Sequence, residues 1–387
     1  MRTTSVTVNR RGVERAVARH LWIYRSDLIS NGNAQGGEIV RVLDAKSRFV
    51  GWALYSSSSQ IALRFLTFDD VAIDHEFWSA RLKAAEQLRN RVVSAATAYR
   101  LVYGESDLLP SLIVDRYNDC LVIQTLSQGM EALKSLWVEL LVDRYHPRAI
   151  VERNEARVRD LEGLPRIAGP LLGDPGELII HELDIQYSVN LIEGQKTGTF
   201  LDQRENRIAA APYARGRVLD CFTFQGAFAL HFAKGSDSVL ACDISPTALA
   251  QAQSNAQLNG STNIEFAEAN VFDFLHAMDS RGEQFDLINL DPPAFAKNRA
   301  SIEAAMRGYK EINLRAIKLL KPGGTLVTST CSYHMSEEMF LNCIAEAASD
   351  ARRSVQILEK RGQARDHPVM VSMPETQYLK CVIATVV

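Results

Sequence analysis

From about residue 190 the chain alternates short apolar runs with amphipathic ones, and no other feature limits the fold so strongly. Strand-like runs such as RVLDCF and FDLINLD alternate with helical runs such as SPTALAQAQSNAQLNG and AAMRGYKEINLRAIKLL. Parallel strands joined by helices require right-handed crossovers, which build a doubly wound parallel sheet. Residues 188–387 are therefore predicted to form an α/β domain. Ligands of such sheets bind outside the carboxyl ends of the strands.

The preceding residues lack this regular alternation, and we divide them at residue 70. Residues 1–70 contain short β-type runs broken by Gly, Asn and Ser, which predict a small β-barrel domain. Residues 71–187 combine an amphipathic helix, HEFWSARLKAAEQLRNRVV, with strand runs such as SLIVDRYNDCLVIQTLS. This part is predicted to form a middle α+β domain. A length of 387 residues accommodates three domains.

The composition favours a soluble globular protein and excludes several other classes. Hydrophobic residues make up 47% and charged residues 23%, which excludes disordered and collagen-like chains. No run approaches the roughly 18 apolar residues of a membrane helix, and the basic start lacks the apolar core of a signal peptide. We therefore expect a cytoplasmic protein without a membrane partner. The six cysteines lack zinc-knuckle spacing, so neither a metal site nor a disulfide framework is expected.

Arginines are concentrated at the start of the chain, although the net charge is −3. Residues 1–25 contain six arginines and a single acid, Glu14. Such a cluster could neutralise phosphates, and Arg10, Arg11 and Arg15 are the candidate RNA contacts. The alternative is a solvated charged surface.

Acidic and amide side chains follow three successive predicted strands. Asp220 ends a strand and precedes a loop with Gly226, where a ligand can approach the backbone closely. Asp243 ends the next strand, where an acid suits the ribose hydroxyls of a nucleoside. Asn270 ends the third, at the position where an adenine would be bound. The absence of G-x-G-x-x-G disfavours nicotinamide and flavin cofactors. Helix capping is the alternative role for the two aspartates.

The next two predicted strands end in residues suited to chemistry on a base. The fourth strand is followed by Asp291, Pro292, Pro293 and Phe295, a stiff loop with a carboxylate and an aromatic ring that could stack on an extruded base. The alternative is a strand terminator beside a core phenylalanine. The fifth strand ends at Cys331, where a reactive thiol would lie at an open rim, whereas a structural cysteine would lie within the strand.

A thiol at this position suits methylation of cytosine at carbon 5. That carbon is a poor nucleophile until a thiolate adds to carbon 6, which makes the ring an enamine. Cys331 would supply the thiolate, and Asp291 would hydrogen-bond or protonate N3. The base that removes the carbon 5 proton is not assigned; His334 is near in sequence, but we favour a surface role for it.

The strand-end pattern resembles the class I S-adenosylmethionine-dependent methyltransferases, whose sheet is Rossmann-like. DPPAF, STCS, EGQKTGTFLDQRENR and GQARDHPVMVSMPETQYLK together resemble the large-subunit rRNA cytosine-5 methyltransferases of the RlmI type, and the resemblance covers nearly the whole chain. It implies an RNA-binding PUA domain in residues 1–70, S-adenosylmethionine as cofactor and large-subunit rRNA as substrate. Two alternatives remain. One is membership of a sister group that methylates guanine N7 and is not expected to need the thiol, and the other is an inactive RNA-binding assembly protein.

The resemblance and the strand-end pattern together define the expected site. Catalysis is assigned to Cys331 and Asp291. Substrate contacts are assigned to the loop Pro292, Pro293 and Phe295 and to the three arginines. Cofactor contacts are expected at Gln203, Arg204, Asn206, Asp220, Phe222, Thr223, Gly226, Asp243, Ile244, Asn270, Val271 and Asp291. The sequence is compatible with a monomer or a homodimer.

Overall fold

The computed structural model describes residues 4–192, 194, 197–296 and 299–387. Three residues of the EGQKTGTFLDQRENR segment, numbers 193, 195 and 196, therefore lie outside the described residues. The chain divides into two compact units. The first contains Met1–Ile180, Val189–Leu201 and Arg365–Thr376, and the second contains His181–Ser188, Asp202–Ala364 and Gln377–Val387.

The first unit begins with a six-stranded mixed sheet in the order β2-β6-β5-β4-β1-β3. Only the β1–β4 pair among these strands is parallel. Side chains alternate between the two faces of β4: Val40 and Val42 are buried and face the core, whereas their neighbours in the strand are partly exposed. Helix α1 (Arg10–Val17) begins after Asn9, which accepts a hydrogen bond from Gly12 N. The strands are β1 (Ser5–Val8), β2 (Trp22–Tyr24), β3 (Leu28–Ser30), β4 (Ile39–Leu43), β5 (Phe49–Tyr55) and β6 (Ile61–Thr67).

A second sheet of the same unit has five strands in the order β11-β10-β9-β8-β7. Its core includes Trp78 and Trp137, whose rings pack edge to face with centroids 5.6 Å apart. The strands are β7 (Ala98–Tyr103), β8 (Leu112–Tyr117), β9 (Cys120–Thr125), β10 (Ala149–Asn154) and β11 (Ile167–Leu172). The helices are α2 (His75–Val92), α3 (Gln128–Ala132), α4 (Lys134–Tyr145) and α5 (Val158–Leu161). A two-stranded sheet, β12 (Leu178–Glu182) and β13 (Ile185–Val189), follows.

The second unit is built on a seven-stranded sheet in the order β16-β15-β14-β17-β18-β20-β19. The first five strands of that order are parallel, and β20 is antiparallel to both of its neighbours. The chain leaves β14 toward β15 on one side and returns to β17 on the other, which creates a topological switch point. The strands are β14 (Arg217–Cys221), β15 (Ser238–Asp243), β16 (Ile264–Glu268), β17 (Phe285–Leu290), β18 (Leu320–Thr330), β19 (Val355–Arg361) and β20 (Lys380–Val386).

Two hydrophobic clusters belong to this sheet. One includes Tyr309 and Phe340, from helices α10 and α11, and the other includes Phe228 and Phe232 of α7. The predicted doubly wound α/β fold is therefore confirmed, whereas the domain limits at residues 70 and 187 remain a prediction. No helix among the described residues is long and apolar enough to span a bilayer. The helices are α6 (Arg204–Ala210), α7 (Ala227–Ala233), α8 (Pro246–Leu258), α9 (Val271–Ser280), α10 (Ile302–Leu319) and α11 (Glu337–Ala351).

Candidate active site

The strand ends named in the sequence share one edge of the seven-stranded sheet. Cys221 lies opposite Cys242 of β15 and Leu290 of β17. Asp243 and Asp291 each follow one of these partners by a single residue, so the two carboxylates flank the switch point. Open α/β sheets bind their ligands in the crevice at this position.

Asp220 is the buried acid of the switch point. Its carboxylate accepts a hydrogen bond from Asn289 Nδ2, directly opposite on β17, at 2.7 Å and another from Thr223 Oγ1 at 2.6 Å. Burial raises the pKa of Asp220 to about 6, although these hydrogen bonds oppose the rise. The side chain is fully buried. These contacts hold the start of the following loop in place.

The loop after β14 has left-handed backbone at alternate positions. The φ angles are 62° at Phe222, 51° at Phe224 and 82° at Gly226. The carboxylate of Asp243 accepts hydrogen bonds from Phe224 N at 2.9 Å and from Ser245 N at 3.0 Å. Conformations that cost energy at non-glycine residues persist where surrounding contacts impose them, as at ligand sites. Asp243 thus shapes the loop whose glycine lets a ligand approach.

The remaining predicted cofactor contacts of this region differ in exposure. Asn270 is exposed and caps α9, since its Oδ1 accepts a hydrogen bond from Phe272 N at 2.9 Å. Val271 is buried, whereas Ile244 is 65% exposed. An adenine contact at Asn270 and Val271 therefore remains a prediction.

Cys331 differs from every other cysteine of the chain. All six cysteines are among the described residues and are free thiols; five are buried, and only Cys331 is partly exposed. Burial raises the pKa of each of those five. The Sγ of Cys331 lies 4.0 Å from the carbonyl oxygen of Pro292. The structure therefore brings the thiol and the DPP loop together, as the sequence predicted.

A hydroxyl cluster fixes the turn that contains Cys331. Thr330 Oγ1 donates to Tyr309 Oη at 2.7 Å, and Tyr309 Oη lies 3.0 Å from Ser332 Oγ. Ser332 Oγ in turn accepts a hydrogen bond from Ala296 N at 3.1 Å, which connects this turn to the DPPAF loop. The thiol thus projects from a turn that is held on both sides.

The DPPAF loop contributes both exposed and packed side chains. Pro292 is buried and Pro293 is exposed. The ring of Phe295 packs on the ring of Tyr309, with centroids 4.7 Å apart, and contacts the core. Stacking of Phe295 on a base remains a prediction beside this packing role. His334 is partly exposed and packs edge-on against Tyr333.

The LDQRENR segment is largely buried beside the predicted catalytic residue Asp291. Gln203, Arg204 and Asn206 are each no more than 3% exposed. Gln203 Nε2 donates a hydrogen bond to Asp291 Oδ1 at 2.7 Å. The structure therefore joins the segment to the predicted catalytic carboxylate.

The N-terminal arginines, which lie in the first unit, have local partners. Arg11 Nε donates to Asp27 Oδ1 at 2.6 Å, and Arg15 Nε lies 3.3 Å from Asp27 Oδ2. Asp27 is fully buried, so these two cations compensate its charge. The side chain of Arg10 is 93% exposed and forms an ion pair with Glu14, one helical turn along α1. Of the three, Arg10 presents the most accessible charge.

Several residues of the site were missed in the sequence. Asn289 and Tyr309 belong to no quoted motif, and Ser332 lies in STCS without an assigned role, because only the register of the strands and the packing of α10 reveal their contacts. Lys380, opposite Thr330 on β20, is buried, and this burial lowers the pKa of its ammonium group, although Cys331 and Glu337 oppose the effect. Its position in QYLK, within a segment used for the resemblance, is the one available signal.

The fold and the site together define a methyltransferase with an N-terminal PUA-like domain. A PUA-like domain model matches residues 6–68, and a methyltransferase domain model matches residues 214–371. Ribosomal RNA large subunit methyltransferase I of Shewanella denitrificans is 40% identical, covering 97% of this chain and 98% of that protein. The protein of that name from Tolumonas auensis is 42% identical, with 98% of both chains covered. The chain therefore belongs to the ribosomal RNA large subunit methyltransferase I family, as predicted.

A solved structure shares the fold over the whole chain. A putative SAM-dependent methyltransferase from Streptococcus mutans superposes with a TM-score of 0.84 and 20% sequence identity, covering 99% of this chain and 100% of that chain. The similarity confirms the predicted fold class.

Proposed function

We propose that this protein methylates carbon 5 of a cytosine in large-subunit ribosomal RNA through a covalent bond to Cys331. S-adenosylmethionine is the methyl donor, in keeping with the methyltransferase domain and the family. The names of the relatives and the PUA-like domain support ribosomal RNA as the substrate. The observation that carries the proposal is the partly exposed Cys331, whose sulfur lies 4.0 Å from the DPP loop.

The proposed reaction begins at the sulfur. The thiolate of Cys331 forms a bond to carbon 6, the carbon 5–carbon 6 double bond opens, and N3 accepts a proton through Asp291. Bound S-adenosylmethionine supplies an electrophilic methyl group; as carbon 5 takes up the methyl group, the bond from that group to the donor sulfur breaks, S-adenosylhomocysteine is left, and the N3 proton returns to Asp291. A base then removes the carbon 5 proton, the double bond reforms and the carbon 6–sulfur bond breaks. The enzyme thus returns to its starting state, apart from the proton that the base retains and passes to solvent.

The geometry supports separate roles for the two catalytic side chains. Cys331 follows β18 and Asp291 follows β17, and these strands are adjacent and parallel. A flat ring placed over this edge could meet the sulfur at one position and the carboxylate at another. The prolines restrict the DPP loop, so little entropy is lost when the base binds.

The decisive experiment replaces Cys331 with Ala and measures nucleosides by mass spectrometry after incubation with protein-free large-subunit rRNA. We expect 5-methylcytosine formation to fall by about 1,000-fold or more, because no other step activates carbon 5. Cys343→Ala, which removes a buried thiol of α11, is the matched control and should keep activity.

Two results would contradict the proposal. Undiminished 5-methylcytosine formation by Cys331→Ala would exclude the covalent step. If the unmodified enzyme produced 7-methylguanosine and no 5-methylcytosine, the guanine N7 alternative would replace the proposal.

The proposed RNA contact of the PUA-like domain is tested at Arg10. Arg11 and Arg15 are unsuitable, because their replacement would leave the buried Asp27 without compensation. We expect Arg10→Gln to reduce the slope of log affinity against log salt by about 1, the value for one lost phosphate contact. Arg166→Gln, which removes an exposed arginine paired with the exposed Asp160 outside residues 6–68, serves for comparison and should leave the slope unchanged. An unchanged slope for Arg10→Gln would exclude that contact.

A further inference from the structure

We infer that Arg361, Asn206 and Gln203 form a hydrogen-bonded chain that positions the carboxylate of Asp291. The inference rests on the catalytic role proposed for Asp291. Arg361 Nε donates to Asn206 Oδ1 at 3.1 Å, and Asn206 Nδ2 donates to Gln203 Oε1 at 2.6 Å. Gln203 Nε2 donates to Asp291 Oδ1 at 2.7 Å. Three consecutive hydrogen bonds therefore connect the end of β19 to the residue that follows β17.

The chemistry of the two ends determines the direction of this positioning chain. A guanidinium group can only donate, so the group of Asn206 that faces Arg361 is its carbonyl oxygen. The amide nitrogen of Asn206 then faces Gln203, whose own nitrogen is left to face Asp291. Each amide both accepts and donates, and hydrogen bonds aligned in one direction polarise one another. The orientation of both amides is thus specified by Arg361.

The positioning chain is buried and supported from the main chain. Gln203 is 2% exposed and Asn206 is 1% exposed. Asn206 Nδ2 also donates to the carbonyl oxygen of Gly362 at 3.0 Å, and Arg361 Nη2 donates to the carbonyl oxygen of Glu205 at 3.3 Å. These bonds attach the first turn of α6 to the end of β19. Little solvent can compete with the side-chain hydrogen bonds in such a place.

The positioning chain restricts a rotation of the Asp291 side chain that the DPP loop leaves free. The two prolines restrict the main chain after Asp291, but the carboxylate can still rotate about its terminal torsion, which is broad. The hydrogen bond from Gln203 to Oδ1 fixes the plane of the carboxylate. Misplacement of a catalytic group by about 1 Å can cost about 100-fold in rate. Gln203 and Asn206 are therefore positioning residues for Asp291, whereas the family resemblance implied that they contact the cofactor.

The test measures tritiated methyl transfer to RNA at saturating S-adenosylmethionine, which counts methyl groups on any base. We expect Gln203→Leu to lower kcat by about 10- to 100-fold, the range for a lost hydrogen bond to a charged group. Arg361→Met, two bonds farther away, should lower kcat by about 3- to 10-fold. KM for RNA and the cofactor Kd by calorimetry should stay within about 3-fold, since binding contacts are retained.

A double-mutant cycle separates positioning from general structural damage. In an Asp291→Asn background, Gln203→Leu and Arg361→Met should cause no further fall in kcat, because their effect passes through the missing carboxylate. Glu359→Gln is the matched control. It removes the negative charge of another partner of Arg361, which accepts a hydrogen bond from Nη1 at 2.8 Å and lies outside the positioning chain, so this variant should keep kcat.

Three outcomes would overturn the inference. A rise in cofactor Kd with unchanged kcat at saturation would make Gln203 a cofactor contact, and further falls in the Asp291→Asn background would indicate a structural role. Full activity of Asp291→Asn alone would remove the proposed role of Asp291 and the inference with it. Failure of the inference by itself is distinguishable, because Asp291→Asn would then be impaired while the positioning variants were additive or active.

Discussion

The two halves of the strand-end edge use their polar side chains differently. In the predicted cofactor half, formed by the ends of β14, β15 and β16, Asp243 and Asn270 accept hydrogen bonds from main-chain N–H groups of the next few residues or of the adjacent loop. The fully buried Asp220 is the exception, since it accepts a side-chain hydrogen bond from Asn289 of β17. In the catalytic half, formed by the ends of β17 and β18, Asp291 is held by Gln203, which is 88 positions away in the sequence. Cys331 is held by a turn that depends on Tyr309.

The polar side chains of the cofactor half stabilise a loop conformation, whereas the contacts of the catalytic half orient the side chains of Asp291 and Cys331. The cofactor half acts through its backbone, since Asp243 imposes the conformation of the loop that follows β14. Under the proposed function, the catalytic half must place two reacting side chains relative to one substrate ring, which local hydrogen bonds do not accomplish. Distant residues therefore provide the orientation there. Mutations in the two halves should consequently affect binding and chemistry separately.

Among the variants that test this separation, the largest effect is expected for replacement of Asp243 with Ala. Loss of the carboxylate leaves Phe224 N and Ser245 N without their acceptor and removes the expected ribose contact. We expect the Kd for S-adenosylmethionine to rise by about 100-fold, since hydrogen bonds to charged groups contribute about 1.5–3 kcal/mol each. The alkylation rate of Cys331 by iodoacetamide should not change. Calorimetry and mass spectrometry measure the two quantities.

Asp279→Ala, which removes an acid of α9 that pairs with Arg315, is the control for this comparison and should bind cofactor normally. A Kd within about 3-fold of the unmodified protein for Asp243→Ala, or a changed alkylation rate, would show that the two halves are not separable.

A second effect concerns pH and the buried acid of the cofactor half. The pKa of Asp220 is about 6 in the folded protein, above the value of about 3.9 in an unfolded chain. The folded state therefore binds this proton more tightly. The stability gained from that proton is fully present below about pH 4 and is lost as the pH rises through about 6. Between pH 4 and pH 7 the protein should lose about 2–3 kcal/mol of unfolding free energy relative to Asp220→Asn, which stays uncharged.

Denaturant unfolding of the two proteins at several pH values measures this difference. Asp286→Asn provides a control of opposite sign: although burial acts against it, hydrogen bonds from Lys321 and Arg217 lower the pKa of Asp286. The stability that Asp286 contributes should therefore be lost as the pH falls. A free-energy difference between the unmodified protein and Asp220→Asn that does not vary with pH would contradict the prediction.

The smallest effect tests the backbone of the cofactor half. Gly226 has φ +82°, and a Cβ added there would lie 3.1 Å from Ala252 Cβ. Gly282 has φ +69° with no atom within 4 Å of such a Cβ, so it isolates the conformational cost. We expect Gly282→Ala to cost about 1–2 kcal/mol of unfolding free energy and Gly226→Ala about 1 kcal/mol more, from contact with α8.

Cofactor affinity should fall only for Gly226→Ala among these two variants. Denaturant unfolding and calorimetry provide the measurements. Equal losses of unfolding free energy for the two substitutions would show that α8 shifts to accommodate the added methyl group.

Local patterns allowed much of this protein to be predicted from its sequence. The alternation of strand and helix periods specified the doubly wound sheet, because right-handed crossovers leave few other arrangements. The residue that ends each parallel strand must then lie at one edge, which predicted that Asp243, Asp291 and Cys331 lie at the same edge of the sheet. The quoted motifs identified the family, which the relatives confirm.

Only the tertiary structure decided which polar groups are buried and what they contact. The sequence alone presented Arg11 and Arg15 as candidate phosphate contacts, but the fold buries Asp27 beside them. The fold likewise brings the side-chain amide of Gln203 into hydrogen-bonding contact with the carboxylate of Asp291. Such pairs depend on the packing of elements distant in sequence, whereas periodicity reports only the face on which a residue lies. Burial makes a hydrogen bond or a compensating charge obligatory, and the partner is whichever group the packing brings within reach.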